Sequence, residues 1–254
     1  KAMTSARFVI LFVLGLWTFG CDVIAQPASR IWGGTEATKD GFPHVASVRL
    51  DGGHVCGATI IGSKSLLTAA HCVQQKGETV SVDRISARVG STNQFSGGSL
   101  VYISDIHIHP DFSGFKNDLA VLTLKTDLTW TDRVKSIAIA TTSADEPGVG
   151  SPVIVAGWGD QLESESAFKL HAISFIVDSE ESCLDAYSDA DNSNICMAHA
   201  LKEGSCYGDA GNGAVYNNKL IGVSNFIIGA CGSRYPDVFA NVAHFATWIQ
   251  SVLL

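Results

Sequence analysis

The apolar positions of this chain fall in short runs, alternating or continuous, each broken after a few residues by turn formers. His44-Val45-Ala46-Ser47-Val48-Arg49-Leu50 runs into Asp51-Gly52-Gly53. Leu119-Ala120-Val121-Leu122-Thr123-Leu124, Pro152-Val153-Ile154-Val155-Ala156 and Leu220-Ile221-Gly222-Val223 repeat the pattern. Runs of this length, closed by Gly and Asp, predict strands joined by hairpins. The clearest helical period is in the tail, where Val242, Phe245, Ala246, Ile249, Val252 and Leu253 share one face. Many short strands with little helix predict an all-β protein, an antiparallel sandwich or barrel. The stretch from Asp178 to Asp191 carries six carboxylates and no basic residue, and reads as a solvated loop face.

One apolar run is of another kind. Phe8 to Trp17 follows a basic start, Lys1 and Arg7, and is too short for a bilayer span, which takes about 20 residues. Val23-Ile24-Ala25 then supplies compact residues for a signal peptidase. Residues 1–25 are expected to be a secretory signal cut after Ala25, with a cut after Gly20 as the local alternative. The sequence opens on Lys1, and Met3 is the candidate start.

Composition narrows the function classes. With 46% hydrophobic residues, 17% charged and 25 Gly in 254 residues, the chain is neither disordered, collagen-like nor a coiled coil. Its length suits one large domain or two small ones. Lys and Arg total 17 against 25 Asp and Glu, a net charge of −8. No basic surplus exists to neutralise phosphates, so neither nucleic acid nor an anionic membrane is an expected partner. Of seven cysteines, Cys21 leaves with the signal, and an even set of six remains, as an oxidising compartment favours. Spacing alone does not choose their pairing. No two cysteines are spaced C-x2-C, so no metal site is expected, and no cofactor is implied.

Four motifs follow one another along the chain. Thr68-Ala69-Ala70-His71-Cys72 sets a His beside a Cys after an apolar strand, and Asn117-Asp118-Leu119-Ala120-Val121-Leu122 sets an Asp at the mouth of another. Gly157-Trp158-Gly159 follows a third strand, and Cys206-Tyr207-Gly208-Asp209-Ala210-Gly211-Asn212-Gly213 is a Gly-rich turn. With Arg30-Ile31-Trp32-Gly33-Gly34, they make residues 31–254 resemble the chymotrypsin/trypsin family of serine proteases. The resemblance implies two six-stranded antiparallel β-barrels with a cleft between them and a C-terminal helix. It makes His71 the general base and Asp118 the carboxylate that orients it. Ser224 would support that Asp. The oxyanion hole would be formed by the N–H groups of Gly208 and Ala210. The disulfides would be Cys56–Cys72, Cys183–Cys196 and Cys206–Cys231. Arg30 would end a short propeptide, residues 26–30, and the new ammonium of Ile31 would pair with Asp209.

The Gly-rich turn departs from the family's Gly-Asp-Ser-Gly-Gly-Pro. The nucleophile position is Ala210, whose methyl has no lone pair to attack a carbonyl. Trp32 replaces the usual Val after Ile31. The position that carries a specificity Asp in trypsin-like members is Gly204 here, while Asp237 stands where the family has a pocket-lining Gly and could face the pocket from its opposite wall. Ser224-Asn225-Phe226 replaces Ser-Trp-Gly, and the Phe226 ring is expected to plug the pocket entrance. No acidic calcium loop occurs between Val89 and Asp111. These departures favour a secreted non-catalytic homologue that acts by binding a protein, an extracellular protease or its substrate, as cofactor or regulator of a protease cascade. Similar homologues are common among insect secreted proteins, some in immune cascades. The alternative is an active trypsin-like endopeptidase read in a Ser-to-Ala form.

Overall fold

The computed structural model describes residues 34–38, 40–159 and 168–253. The expected signal segment with Cys21, the cut after Ala25, the propeptide 26–30 and the Arg30–Ile31 bond lie outside these residues.

Two closed barrels account for most of the chain. The first comprises Val45–Leu50 (β1), Gly53–Ile60 (β2), Ser65–Thr68 (β3), Ile85–Val89 (β4), Ser99–Ile108 (β5) and Ala120–Leu124 (β6), closed in the order β1-β2-β3-β6-β5-β4. The second comprises Pro152–Gly157 (β7), His171–Val177 (β8), Asn194–Ala198 (β9), Gly213–Tyr216 (β10), Lys219–Phe226 (β11) and Asp237–Asn241 (β12). Its strands pair antiparallel around the ring β7-β8-β9-β12-β11-β10. Thr35–Glu36 adds to β8, and Ala138–Ile139 runs parallel to β11. This is the predicted architecture of two six-stranded antiparallel barrels with a C-terminal helix.

The hydrophobic pattern explains which faces are covered. Strand β4 alternates buried and half-buried positions, as a strand wet on one side should. Strand β6 is buried throughout. Ala120, Leu122 and Leu124 fill the first barrel, while Val121, with Leu119 beside the strand, packs against Leu67, Val223, Phe245 and Ile249. The last two belong to the tail helix, Val242–Ser251. Asn241 caps that helix by accepting from the N–H groups of Ala243 and His244. The hairpin after β1 turns through Asp51 and Gly52 at φ 50° and 85°, the left-handed conformation that Asp-Gly sequences favour.

One expectation is corrected. Part of the acidic stretch is helical, over Glu180–Ala186 (α1). Ser179 caps it by accepting from the Ser182 N–H, and Glu180 and Glu181 set negative charge against the positive end of the helix. The chain reads as a loop because the segment lacks an apolar stripe; Cys183, bonded to Cys196, supplies the anchor instead. No helix among the described residues is long and apolar enough to cross a membrane.

The barrels meet where the Gly-rich turn lies on β2. The Gly57 N–H donates to the Ala210 carbonyl at 2.8 Å. A Cβ on Gly57 would stand 1.8 Å from Asn212 Oδ1, and one on Gly157 would stand 2.1 Å from Asn212 Nδ2. Both glycines therefore clear space for one buried amide. Gly57→Ala is expected to lower the unfolding free energy by about 3 kcal/mol, as overpacking of a filled interior does. Adding Asn212→Gly to that variant should return much of the loss. Denaturant unfolding of the two single variants and the double gives the coupling; strictly additive losses would mean the two groups do not share this space.

Candidate active-site cleft

His71 sits in the 3-10 turn Ala70–Val73 that closes β3. Its Nδ1 lies 2.6 Å from Asp118 Oδ2, and its backbone N–H donates to Asp118 Oδ1 at 2.8 Å. Asp118 is fully buried just before β6, delivered by Asn117 in a left-handed turn at φ 53°. A carboxylate held from both sides fixes the ring with its proton on Nδ1. Nε2 is then the exchangeable nitrogen; its neighbour is the disulfide sulfur Cys72 Sγ, 3.9 Å away. Cys56, His71 and Cys72 place three donor atoms within 4.8 Å of one another. The two sulfurs are bonded to each other, so they offer no thiolate to a metal.

Across the cleft, the turn carrying Ala210 bends through Gly208 and Gly211 at φ 93° and 84°. Among the described residues, the N–H groups of Gly208 and Ala210 have no acceptor. The Gly208 carbonyl faces His54, whose Nε2 is 3.1 Å away; His54 Nδ1 is 2.8 Å from Ser47 Oγ. The His54 ring meets Trp158 edge-on at 5.9 Å. Asp209 is 1% exposed. Its carboxylate accepts from the N–H groups of Gly159 (2.8 Å) and Cys206 (3.0 Å) and from Asn212 Nδ2 (3.1 Å). Ile31, the expected partner of Asp209, lies outside the described residues.

His71, Gly208, Ala210, Ser224, Asn225 and Phe226 line one cleft of about 460 Å³. The Phe226 ring lies 4.6 Å from Phe115 and 5.0 Å from Tyr187 in an aromatic cluster beside the cleft. Asn225 is buried and donates Nδ2 to the Phe115 carbonyl. Ser224 joins the turn through its backbone, giving its N–H to the Asn212 carbonyl and accepting from the Gly211 N–H. Among the hydrogen bonds of the described residues, its hydroxyl makes none to Asp118. A groove of about 480 Å³ beside α1, lined by Glu146, Asp178, Asp191 and His244 among others, contains none of these groups.

Gly204 and Asp237, expected in the specificity pocket, are not among the residues lining this cleft. Asp237 is 3% exposed and its carboxylate is committed: Oδ2 accepts the Ser205 N–H at 2.7 Å, and Oδ1 lies 3.3 Å from His199 Nε2. Gly204 packs on the same imidazole, where a Cβ would approach to 2.9 Å. His199 was invisible in the sequence because a lone His carries no motif. Its Nδ1 is 3.0 Å from the Ala200 carbonyl, so both ring nitrogens face acceptors. Burial lowers its pKa, but the Asp237 hydrogen bond and charge, the Ala200 carbonyl and Glu203 together outweigh burial and raise it.

The three disulfides are Cys56–Cys72, Cys183–Cys196 and Cys206–Cys231, with Cα separations of 6.0, 5.5 and 5.0 Å. They fit an oxidising compartment. The first clamps the His71 turn, and the third ties the Ala210 turn, through Cys206, to Cys231.

Comparison with known proteins gives one answer. A family model described as Trypsin matches residues 31–249. Serine protease SP24D of Anopheles gambiae is 34% identical over 228 residues, covering 89% of this chain and 82% of its own length. Trypsin beta of Drosophila erecta is 32% identical over 255 residues, covering 96% and 98%. Among solved structures, neuropsin, a serine protease expressed in the limbic system of mouse brain, superposes with a TM-score of 0.76. It is 24% identical and covers 86% of this chain and 97% of its own.

The His199–Asp237 pair gives the fold a pH signature. A His whose folded pKa is raised adds stability that is complete below its ordinary value of 6.5 and fades as pH climbs through the folded value. His44 pulls the opposite way on the acid side: burial holds its pKa down at about 4, so stability is lost as pH falls below 6.5. Comparing His199→Gln with the parent subtracts the His44 contribution. The parent's unfolding free energy should fall more steeply than the variant's from pH 6.5 to 9; parallel profiles would refute the pairing.

Proposed function

The chain belongs to the trypsin family of serine proteases, and from that membership we propose that it is a secreted member that cleaves no peptide bond and works by binding a protein. The partner is an extracellular protease or its substrate, and the role is that of cofactor or regulator in a protease cascade. The observation that carries this reading is Ala210. Its place in the turn, between a buried Asp209 and Gly211 and across the cleft from His71, is where the family's reaction needs a hydroxyl.

The expected roles follow the geometry. His71 would be the base and Asp118 its orienting partner, held at 2.6 Å. The unengaged N–H groups of Gly208 and Ala210 would be the oxyanion donors. Such a site without its nucleophile loses about 2 × 10⁶ in kcat in a comparable triad, or roughly 8–9 kcal/mol of transition-state stabilisation. Neighbouring hydroxyls do not replace it. Ser205 is 3% exposed with its Oγ buried, and among the described residues neither Ser205 nor Tyr207 hydrogen-bonds His71.

The second reading, an active endopeptidase, draws on the intact His71–Asp118 pair and on relatives named as trypsins. It requires a nucleophile that position 210 does not supply. It also leaves Asn212, Asn225 and Phe226 unexplained, whereas drift after loss of catalysis accounts for all of them together.

Two measurements separate the readings. The purified protein should neither hydrolyse peptide amides nor take up a fluorophosphonate probe; labelling near one per chain would overturn the proposal. Ala210→Ser, cut after Arg30 so that Ile31 can reach Asp209, should recover little activity, because Phe226 closes the mouth. Ala210→Ser with Phe226→Gly should exceed it by at least about tenfold in kcat/KM, or 1.4 kcal/mol. Chromogenic substrates with basic, aromatic and small side chains form the assay, and a single reversion as active as the double would show that Phe226 is no barrier.

A further inference from the structure

The cleft retains hydrogen-bond donors but lacks the group that would consume a ligand, and this combination selects a ligand chemistry. The inference rests on the non-catalytic reading above. Among the described residues, the N–H groups of Gly208 and Ala210 have no acceptor. His71 has its Nδ1 committed to Asp118, so Nε2 is the ring nitrogen left to a ligand, with a buried carboxylate behind the ring. The residues lining the cleft include no Asp, Glu, Lys or Arg. Nothing in the wall competes for these donors or attracts a basic side chain, because the nearby acid Asp237 is spent on Ser205 and His199.

A carboxylate matches this arrangement better than a peptide carbonyl does. It has two oxygens where the carbonyl has one, and the second needs room beside position 210. A serine hydroxyl would occupy that room; the methyl of Ala210 leaves it open. Hydrogen bonds to an ionised acceptor are roughly twice as strong as neutral ones. The net charge of −8 opposes an anion only weakly here, since exposed charges beyond a Debye length of about 8 Å are screened at physiological salt.

We propose that the cleft is a receptor for the free α-carboxylate of a peptide C-terminus. One carboxylate oxygen accepts from the Gly208 and Ala210 N–H groups, and the other from His71 Nε2–H, the backbone-donor mode by which chain ends are captured. The terminal side chain is small, to fit beside the Phe226 and Phe115 rings that line the same cleft. The ligand is thus of the kind an active protease releases, a new chain end, which the cleft binds and cannot process.

The test titrates the full chain with N-acetyl-trialanine as the free acid and as its C-terminal amide, by calorimetry. The acid should bind at least tenfold more tightly. His71→Gln, checked by its melting curve, should bring the acid down to the affinity of the amide. A peptide labelled with ¹³C at its terminal carboxyl gives a readout without any variant: its resonance should shift on binding, and with the same affinity. Equal affinity of acid and amide, binding of neither, or an unshifted carboxyl resonance would overturn the proposal while leaving the non-catalytic reading in place. Breakdown of the amide would overturn that reading instead.

Discussion

The Asp209 carboxylate is 1% exposed at the junction of the two barrels, and an ionised carboxylate buried there needs fixed donors. Gly159 supplies one from beyond β7, Cys206 another from the start of the turn, and Asn212 a third from its end. Each bond draws a separate segment onto one point. The glycines around it follow from that demand: a Cβ on Gly159 would stand 2.0 Å from Asp209 Oδ2, and one on Gly211 would stand 2.3 Å from the Gly57 carbonyl. The path of the Gly-rich turn is set by this one charge, and with it the outward aim of the Gly208 and Ala210 N–H groups.

The same constraint makes the shape of the turn independent of hydrogen bonding by the side chain at position 210. The Ala210 methyl packs on the core of the first barrel and makes no hydrogen bond. The residue's backbone still accepts from Gly57, and its neighbours still bind Asp209, whatever the side chain is. Replacing a hydroxyl by a methyl there costs chemistry and little stability. Substitutions nearby are of another order. Asn212 is fully buried and inserts between Gly57 and Gly157, so a change of its side chain is felt by both strands.

Much of this was legible in the chain. The strand runs at His44–Leu50, Leu119–Leu124 and Pro152–Ala156 were readable from their short length and the turn formers around them, and the tail stripe of Val242, Phe245 and Ile249 from its helical spacing. His71, Asp118 and the Gly-rich turn were readable because they sit in local motifs, and the disulfides because the family resemblance pairs them. What stayed hidden is contact between residues far apart in sequence. His54 and Gly208 are 154 positions apart, and His199 and Asp237 are 38. Asp237 was expected to face the pocket, but its carboxylate is engaged by the Ser205 N–H and by a histidine that no spacing rule connects to it. α1 was missed because a disulfide and a cap, and no hydrophobic stripe, hold it.

The contact between His54 and Trp158 has an optical consequence. Trp158 is 3% exposed, its ring 5.9 Å from an imidazole whose Nε2 faces the Gly208 carbonyl. An indole emits in the blue when shielded from water, and a neighbouring imidazole dims it more strongly once that ring takes up a proton. The emission of Trp158, one of five tryptophans in the chain, therefore reports on the contact between His54 and the Gly208 carbonyl. Replacing the other four by Phe would isolate that signal and make it a gauge of the turn with no dye attached.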